Sequence, residues 1–248
     1  MGSREYKYRA RQALCGNWFI AIIAAIIAGL LGASVINTFS SSIDLNFSDS
    51  DISDSEINEE LSTVLPEGAD PEISEKMLVF IGSIILVATI VGLIYALIMF
   101  TVGSAVSVGY ARFNLDMIDG ITPRIGTMFS AFGQIKTAIA VRLVTSVLVS
   151  LGYLLLIVPG IILNLNYSMA IFVMSDNPYM TTREVLAESR RIMTGRRWRF
   201  FCLEFSFIGL IFLCMLTLGI GFIWLVPYMN ATYAAFYRQA KMEADYTV

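Results

Sequence analysis

Five guanidinium groups crowd into one short stretch of this chain: Arg190, Arg191, Arg196, Arg197 and Arg199 gather around Trp198, and an apolar run follows at once. Guanidinium forks match phosphate oxygens, and an indole settles at the level of lipid headgroups. The cluster therefore predicts contact with anionic membrane lipid. Its plainer role is a topology signal, which needs fewer charges than are present. A second set of polar residues lies inside apolar runs: Arg142, Asn164, Asn166, Tyr167, Glu204, Asn230 and Tyr233. Arg142 and Glu204 fall at matching depth, which predicts a structural ion pair, snorkelling to the cytoplasmic interface, or a gate or substrate contact. Asn164, Asn166, Tyr167 and Ser168 follow Pro159-Gly160, and Asn230, Thr232 and Tyr233 follow Pro227. Helices interrupted at corresponding places can free backbone groups and build a polar site near the bilayer midplane. The same residue types also serve plain hydrogen bonding between helices.

Other chemistry is poorly provided for. The sequence has no histidine, which removes the commonest general base and most zinc sites. Cys15, Cys202 and Cys214 are dispersed beside or within apolar runs and read as small apolar fillers. Paired carboxylates are missing from the apolar runs, and no Walker, GxSxG or HExxH pattern occurs. The run Asp49-Ser-Asp51-Ile-Ser-Asp54-Ser-Glu56 suggests a calcium loop, but it lacks the EF-hand glycine and the closing bidentate glutamate. The expectation is a noncatalytic protein with no metal, no cofactor and no nucleic-acid partner.

The elements that position these residues are membrane helices. Apolar residues make up 56% of the chain, charged ones only 15%, and mean hydropathy is +0.70, outside the range of soluble domains. The predicted fold is an all-α polytopic membrane helix bundle of six transmembrane helices, arranged as three hairpins with interfacial elbow helices. Residues 1–16 form an amphipathic elbow, and 17–36 a first span too long for a signal-peptide core. Residues 37–76 form an acidic extracytoplasmic loop holding a short amphipathic helix. A second span covers 77–110 and either tilts or bends near Gly103-Ser104. An elbow at 111–136 leads to spans at 137–158 and 159–175, and the basic elbow at 176–199 to spans at 200–218 and 219–237. A short polar tail, 238–248, follows. Within the basic elbow, Val185, Leu186, Ser189, Ile192 and Met193 share one stripe of a helix over 182–193, the pattern of an interfacial helix.

Of 17 basic residues only Lys76 lies in the acidic loop, so the positive-inside rule places both termini in the cytoplasm. The hairpins also repeat. Arg11, Gly16 and Trp18 are echoed by Arg191, Gly195 and Trp198, and the second spans end alike in Gly109-Tyr110-Ala111, Asn166-Tyr167-Ser168 and Thr232-Tyr233-Ala234.

Several stretches resemble a bacterial six-span integral membrane family catalogued as domain of unknown function 975. They are Arg9-Ala10-Arg11 through Gly16-Asn17-Trp18, Val158-Pro-Gly through Ala170, Ser175-Asp-Asn-Pro with Ser189-Arg190, and Leu216-Thr-Leu-Gly-Ile-Gly with Pro227 through Tyr237. The resemblance implies an architecture and a bacterial inner membrane location, and it supplies no catalytic residues to carry over. The function expected is binding of lipid, a peptide or another membrane protein. The alternative is passage of a small solute through a polar site between the fourth and sixth helices.

Overall fold

A computed structural model describes residues 2–33 and 71–246. Residues 37–70 of the expected acidic loop, with its amphipathic helix and calcium-like run, fall outside the described residues, and 71–76 belong to a helix. Among the described residues there is no strand. The chain divides into two units, residues 42–99 and the remainder.

The larger unit opens with α1 (Ser3–Leu14), whose Tyr6, Ala10 and Leu14 form a buried stripe at helical spacing, with Arg4, Tyr8 and Arg11 exposed. It turns by 101° into α2 (Trp18–Leu30). The turn is set locally: Cys15 N–H closes α1 on the carbonyls of Arg11 and Gln12, and Gly16 follows at φ +89°, a left-handed position that glycine occupies without penalty. The basic elbow is built in the same way. In α7 (Thr182–Met193), Thr181 N–H donates to Glu184 Oε2 at 2.8 Å in a capping box, and Val185, Ser189, Ile192 and Met193 are buried. Thr194 N–H closes the helix on Arg190 and Arg191, Gly195 stands at φ +77°, and α8 (Arg197–Leu216) begins.

A third elbow shares the last step. A 3-10 helix, Ile125–Gln134, precedes α4 (Ile135–Leu155). The residues capping α2, α4 and α8 are Asn17, Gln134 and Arg196, with φ of −115°, −116° and −115°, and each directly follows a glycine. The glycine and cap therefore keep the register of the repeat. The pairing of Trp18 with Trp198 is off by one, because Trp18 opens α2 whereas Trp198 is the second residue of α8.

Several expected boundaries move. The second span is one helix, α3 (Pro71–Ile118), uninterrupted at Gly103-Ser104 and running past Tyr110 into what read as elbow. The fourth comprises α5 (Ile157–Tyr167) and α6 (Ala170–Asp176), parted at Ser168-Met169 rather than at Pro159, which sits harmlessly in the first turn of α5. Residues 238–245 are no tail but the last turns of α9 (Phe222–Asp245), where Ala240 and Ala244 are buried.

The core of the larger unit is α9, against which α1, α2, α7 and α8 pack. Its rings engage neighbours on several sides: Phe236 meets Tyr6 and Phe200 at centroid distances of 5.2 and 5.0 Å, Tyr233 meets Phe200 at 5.4 Å, and Tyr237 stacks on Phe172 at 5.8 Å. Alongside, α3 comes within backbone contact of the 3-10 helix, since a Cβ on Gly109 would stand 1.8 Å from the Met128 carbonyl oxygen.

Among the described residues, four stretches are long and apolar enough to cross a membrane, Val79–Ile118, Ile125–Leu155, Ile157–Asp176 and Arg197–Leu216, or five if the bent α1–α2 pair is one span. In the smaller unit, α3 up to residue 99 exposes Val79, Phe80, Leu86, Val91, Leu93 and Leu97 around its circumference. A helix apolar on every side needs an apolar surround. The helix α9 is not among the candidates: beyond its exposed first turn, with Ile223 and Trp224, protein packs around it from Pro227 to Tyr237, so it can carry asparagine, threonine and tyrosine.

Candidate functional site

The arginine elbow is held by the end of α9. Arg199 donates to Glu243 at 2.8 Å and to the Tyr6 hydroxyl, so one guanidinium joins α1, α8 and α9. Arg196 donates to the same Glu243 at 3.0 Å. Arg191 takes Glu188 at 2.8 Å and Asp245 at 2.6 Å. These hydrogen bonds, Arg199's foremost, hold the Glu243 carboxyl down at about 2, and Glu188 and Asp245 push the Arg191 guanidinium above its ordinary value. Of the five arginines expected at the headgroups, three are thus engaged with carboxylates of their own chain. Arg190 and Trp198 remain exposed, and Arg197 is half-buried. The clasp borders a groove of about 530 Å³ lined by Arg191, Gly195, Arg196, Arg199 and Glu243.

A second clasp joins the ends of α3, α6 and α9. Arg238 donates through both sides of its fork to Asp119 and at 2.9 Å to Asp176, whose other oxygen receives Lys241 and, at 3.1 Å, the Tyr237 hydroxyl. In the sequence Asp176 and Tyr237 belonged to stretches that carry the family resemblance, while Asp119, Arg238 and Lys241 read only as scattered interfacial charge. Their shared destination depends on α9 continuing to Asp245, and the usable signal was Phe236, Tyr237, Ala240 and Ala244 at helical spacing.

The intramembrane set is divided among several helix contacts. Arg142, on α4, lies 4.8 Å from the Phe100 ring centroid and 3.5 Å from the Gly32 carbonyl oxygen. Glu204, on α8, is half-buried and close enough to the buried Tyr233 to act on it electrostatically. Asn230 and Thr232 turn back onto carbonyls of their own helix, Val226 at 2.9 Å and Tyr228 at 2.7 Å. Asn166 is buried and offers its carbonyl oxygen to Ser189 Oγ at 2.8 Å, pinning α7 to α5, while Asn164 and Tyr167 are half-buried on the same helix. Neither this groove nor a smaller one of about 280 Å³ beside Gln134 is lined by Asn164, Asn166 or Asn230. All three cysteines are free, with Cys214 buried.

Fold and site together define an all-helical protein with several helices of membrane-spanning length and elbows rich in arginine. The chain belongs to the family described as Protein of unknown function (DUF975), whose profile matches residues 1–244. No curated protein and no solved structure matches it significantly.

Proposed function

We propose that this is a noncatalytic protein of the bacterial inner membrane, crossing six times with both termini cytoplasmic, and that its elbows engage anionic lipid. The observation that carries the reading is the elbow itself. An amphipathic helix with an outward arginine face, Arg4 and Arg11 on α1 or Arg183 and Arg190 on α7, joins through a left-handed glycine to an apolar helix. Exposed Phe19 and Trp198 stand where that apolar helix begins. A helix of this kind lies in the headgroup plane, its cations meeting phosphate and its rings the acyl boundary. The remaining crossings are supplied by α2 and α9, and α9 is shielded by protein. Asn230 and Thr232, satisfied on their own helix, support a packing role more than a solute path.

The test uses Arg190→Gln with Arg197→Gln, which leaves the Glu243 clasp intact. The double variant should retain less phosphatidylglycerol on purification, the difference shrinking as salt rises. Equal retention at low salt by a correctly folded variant overturns the reading. For topology, cysteines placed at Ser50 and Glu67 should react with an impermeant maleimide on intact cells, and one at Thr182 should not. External labelling at Thr182 rejects the six-crossing arrangement.

A further inference from the structure

The two grooves open at equivalent points of the repeat. The larger borders Gly195 and the cap residue Arg196, and the smaller borders the cap residue Gln134. In the larger, Glu243 of the same chain already meets the guanidinium groups. The smaller has no carboxylate among its walls. Arg112 of α3, Thr127 of the 3-10 helix, Gln134, and Ser175 of α6 line it and can donate hydrogen bonds, and beside them Ser130 already donates its hydroxyl to the Thr127 carbonyl oxygen at 2.7 Å.

Ser175 points to a missing ligand. It is 5% exposed, and its Oγ is buried without a hydrogen-bond partner. Native proteins rarely leave a buried hydroxyl so, because nothing repays its lost hydration. The groove wall beside it carries one cation, Arg112. Arg112 is anchored there by donating to the Ser175 carbonyl oxygen at 3.3 Å and by lying 3.2 Å from Asp116. The elbow from Arg124 to Lys136 contains those two cations and no acidic residue.

We propose that the groove at the middle elbow binds a phosphate group, with Arg112 and the Ser175 hydroxyl as its principal donors. Its volume, about 280 Å³, admits a phosphate together with part of whatever is esterified to it. The chemistry is common to free phosphate and to a phospholipid headgroup. The site stands independently of whether the outward arginine faces hold lipid.

The experiment uses the full chain in a maltoside detergent. Inorganic phosphate is titrated against its melting temperature, with chloride at matched ionic strength as reference, and retained phosphatidylglycerol is counted by native mass spectrometry. Ser175→Ala removes a partnerless hydroxyl, so its melting temperature without ligand should equal or exceed that of the wild type. Its apparent affinity for the phosphate group should fall about tenfold, the usual effect of losing one hydrogen bond to a charged group. Arg112→Lys, which keeps the charge and loses the fork, should fall similarly. Ser83→Ala, on an exposed part of α3, should match the wild type. A melting shift with inorganic phosphate identifies the free ion. Phosphatidylglycerol retained by the wild type and shed by both variants, with no such shift, identifies the headgroup. The proposal is overturned if neither probe binds, if folded Ser175→Ala binds as tightly as the wild type, or if Ser175→Ala melts lower without ligand, which would make the hydroxyl structural.

Discussion

Arg199 and Glu243 lie 2.8 Å apart, and this one contact ties the first turn of α8 to the last turns of α9. Both side chains are about a third exposed, so the pair stands between a screened surface bridge and a buried one. Glu243→Gln should lower stability by about 1–2 kcal/mol, because Arg196 and Arg199 both lose their anion. Arg199→Gln should cost at least as much, since it also releases Tyr6. The two losses should fall short of additivity in the double variant, as thermal unfolding in detergent would show.

The same carboxylate gives the molecule an acid-sensitive joint. Its folded value, about 2, lies below the ordinary glutamate value near 4.3. A depressed carboxylate contributes stability that is fully present above the unfolded value and lost as pH falls through the folded one. Between about pH 4.5 and 2, the wild type should lose its advantage over Glu243→Gln, and the two should converge at the acid end. Melting curves at half-unit pH steps that stayed parallel would show that Glu243 does not titrate in this way.

Two glycines should respond differently to alanine. At Gly195 the space is open and only the left-handed backbone resists a side chain, so Gly195→Ala should cost about 1 kcal/mol and Gly195→Asn less. At Gly109 the added carbon would meet the Met128 carbonyl oxygen, a rigid neighbour. Gly109→Ala should therefore be the more damaging by several-fold in yield of folded protein. Equal yields would mean that the 3-10 helix can move away.

Ser189 tests the link between α7 and α5. Its hydroxyl, fully buried, donates to the Asn166 carbonyl oxygen at 2.8 Å. Ser189→Ala should cost about 1 kcal/mol, and Ser189→Val more, since the added methyls enter a filled site. Thermal unfolding of the two variants beside the wild type measures both.

What could be read from the sequence was whatever local pattern decides. The stripe from Val185 to Met193 gave the basic elbow helix its face and its ends, and Thr181-Thr-Arg-Glu184 carried a capping box that would have sharpened its start. Gly16 and Gly195 marked the turns correctly. The tryptophans misled because interfacial rings tolerate a shift along the helix, whereas a left-handed turn does not. Arg191, Arg196 and Arg199 read as a free cationic surface because their partners, Asp245 and Glu243, stood in a segment taken for a tail. The central place of α9 was hidden for a related reason: hydropathy scores contact with lipid, and α9 makes its contacts with protein.

Arg199 and the Tyr6 hydroxyl meet across 193 residues of chain, and Lys7 reaches the Ser206 carbonyl across 199. At ordinary ribosomal speeds, the N-terminal elbow waits roughly ten to forty seconds for α8 to be made, and longer for α9. During that interval Tyr6, Ala10 and Leu14 have no groove to enter, and the membrane surface is the one apolar refuge within reach. If the elbows lie on lipid as proposed, α1 serves first as a float and only later as a brace, and a nascent chain arrested before α9 should keep its opening helix at the membrane surface.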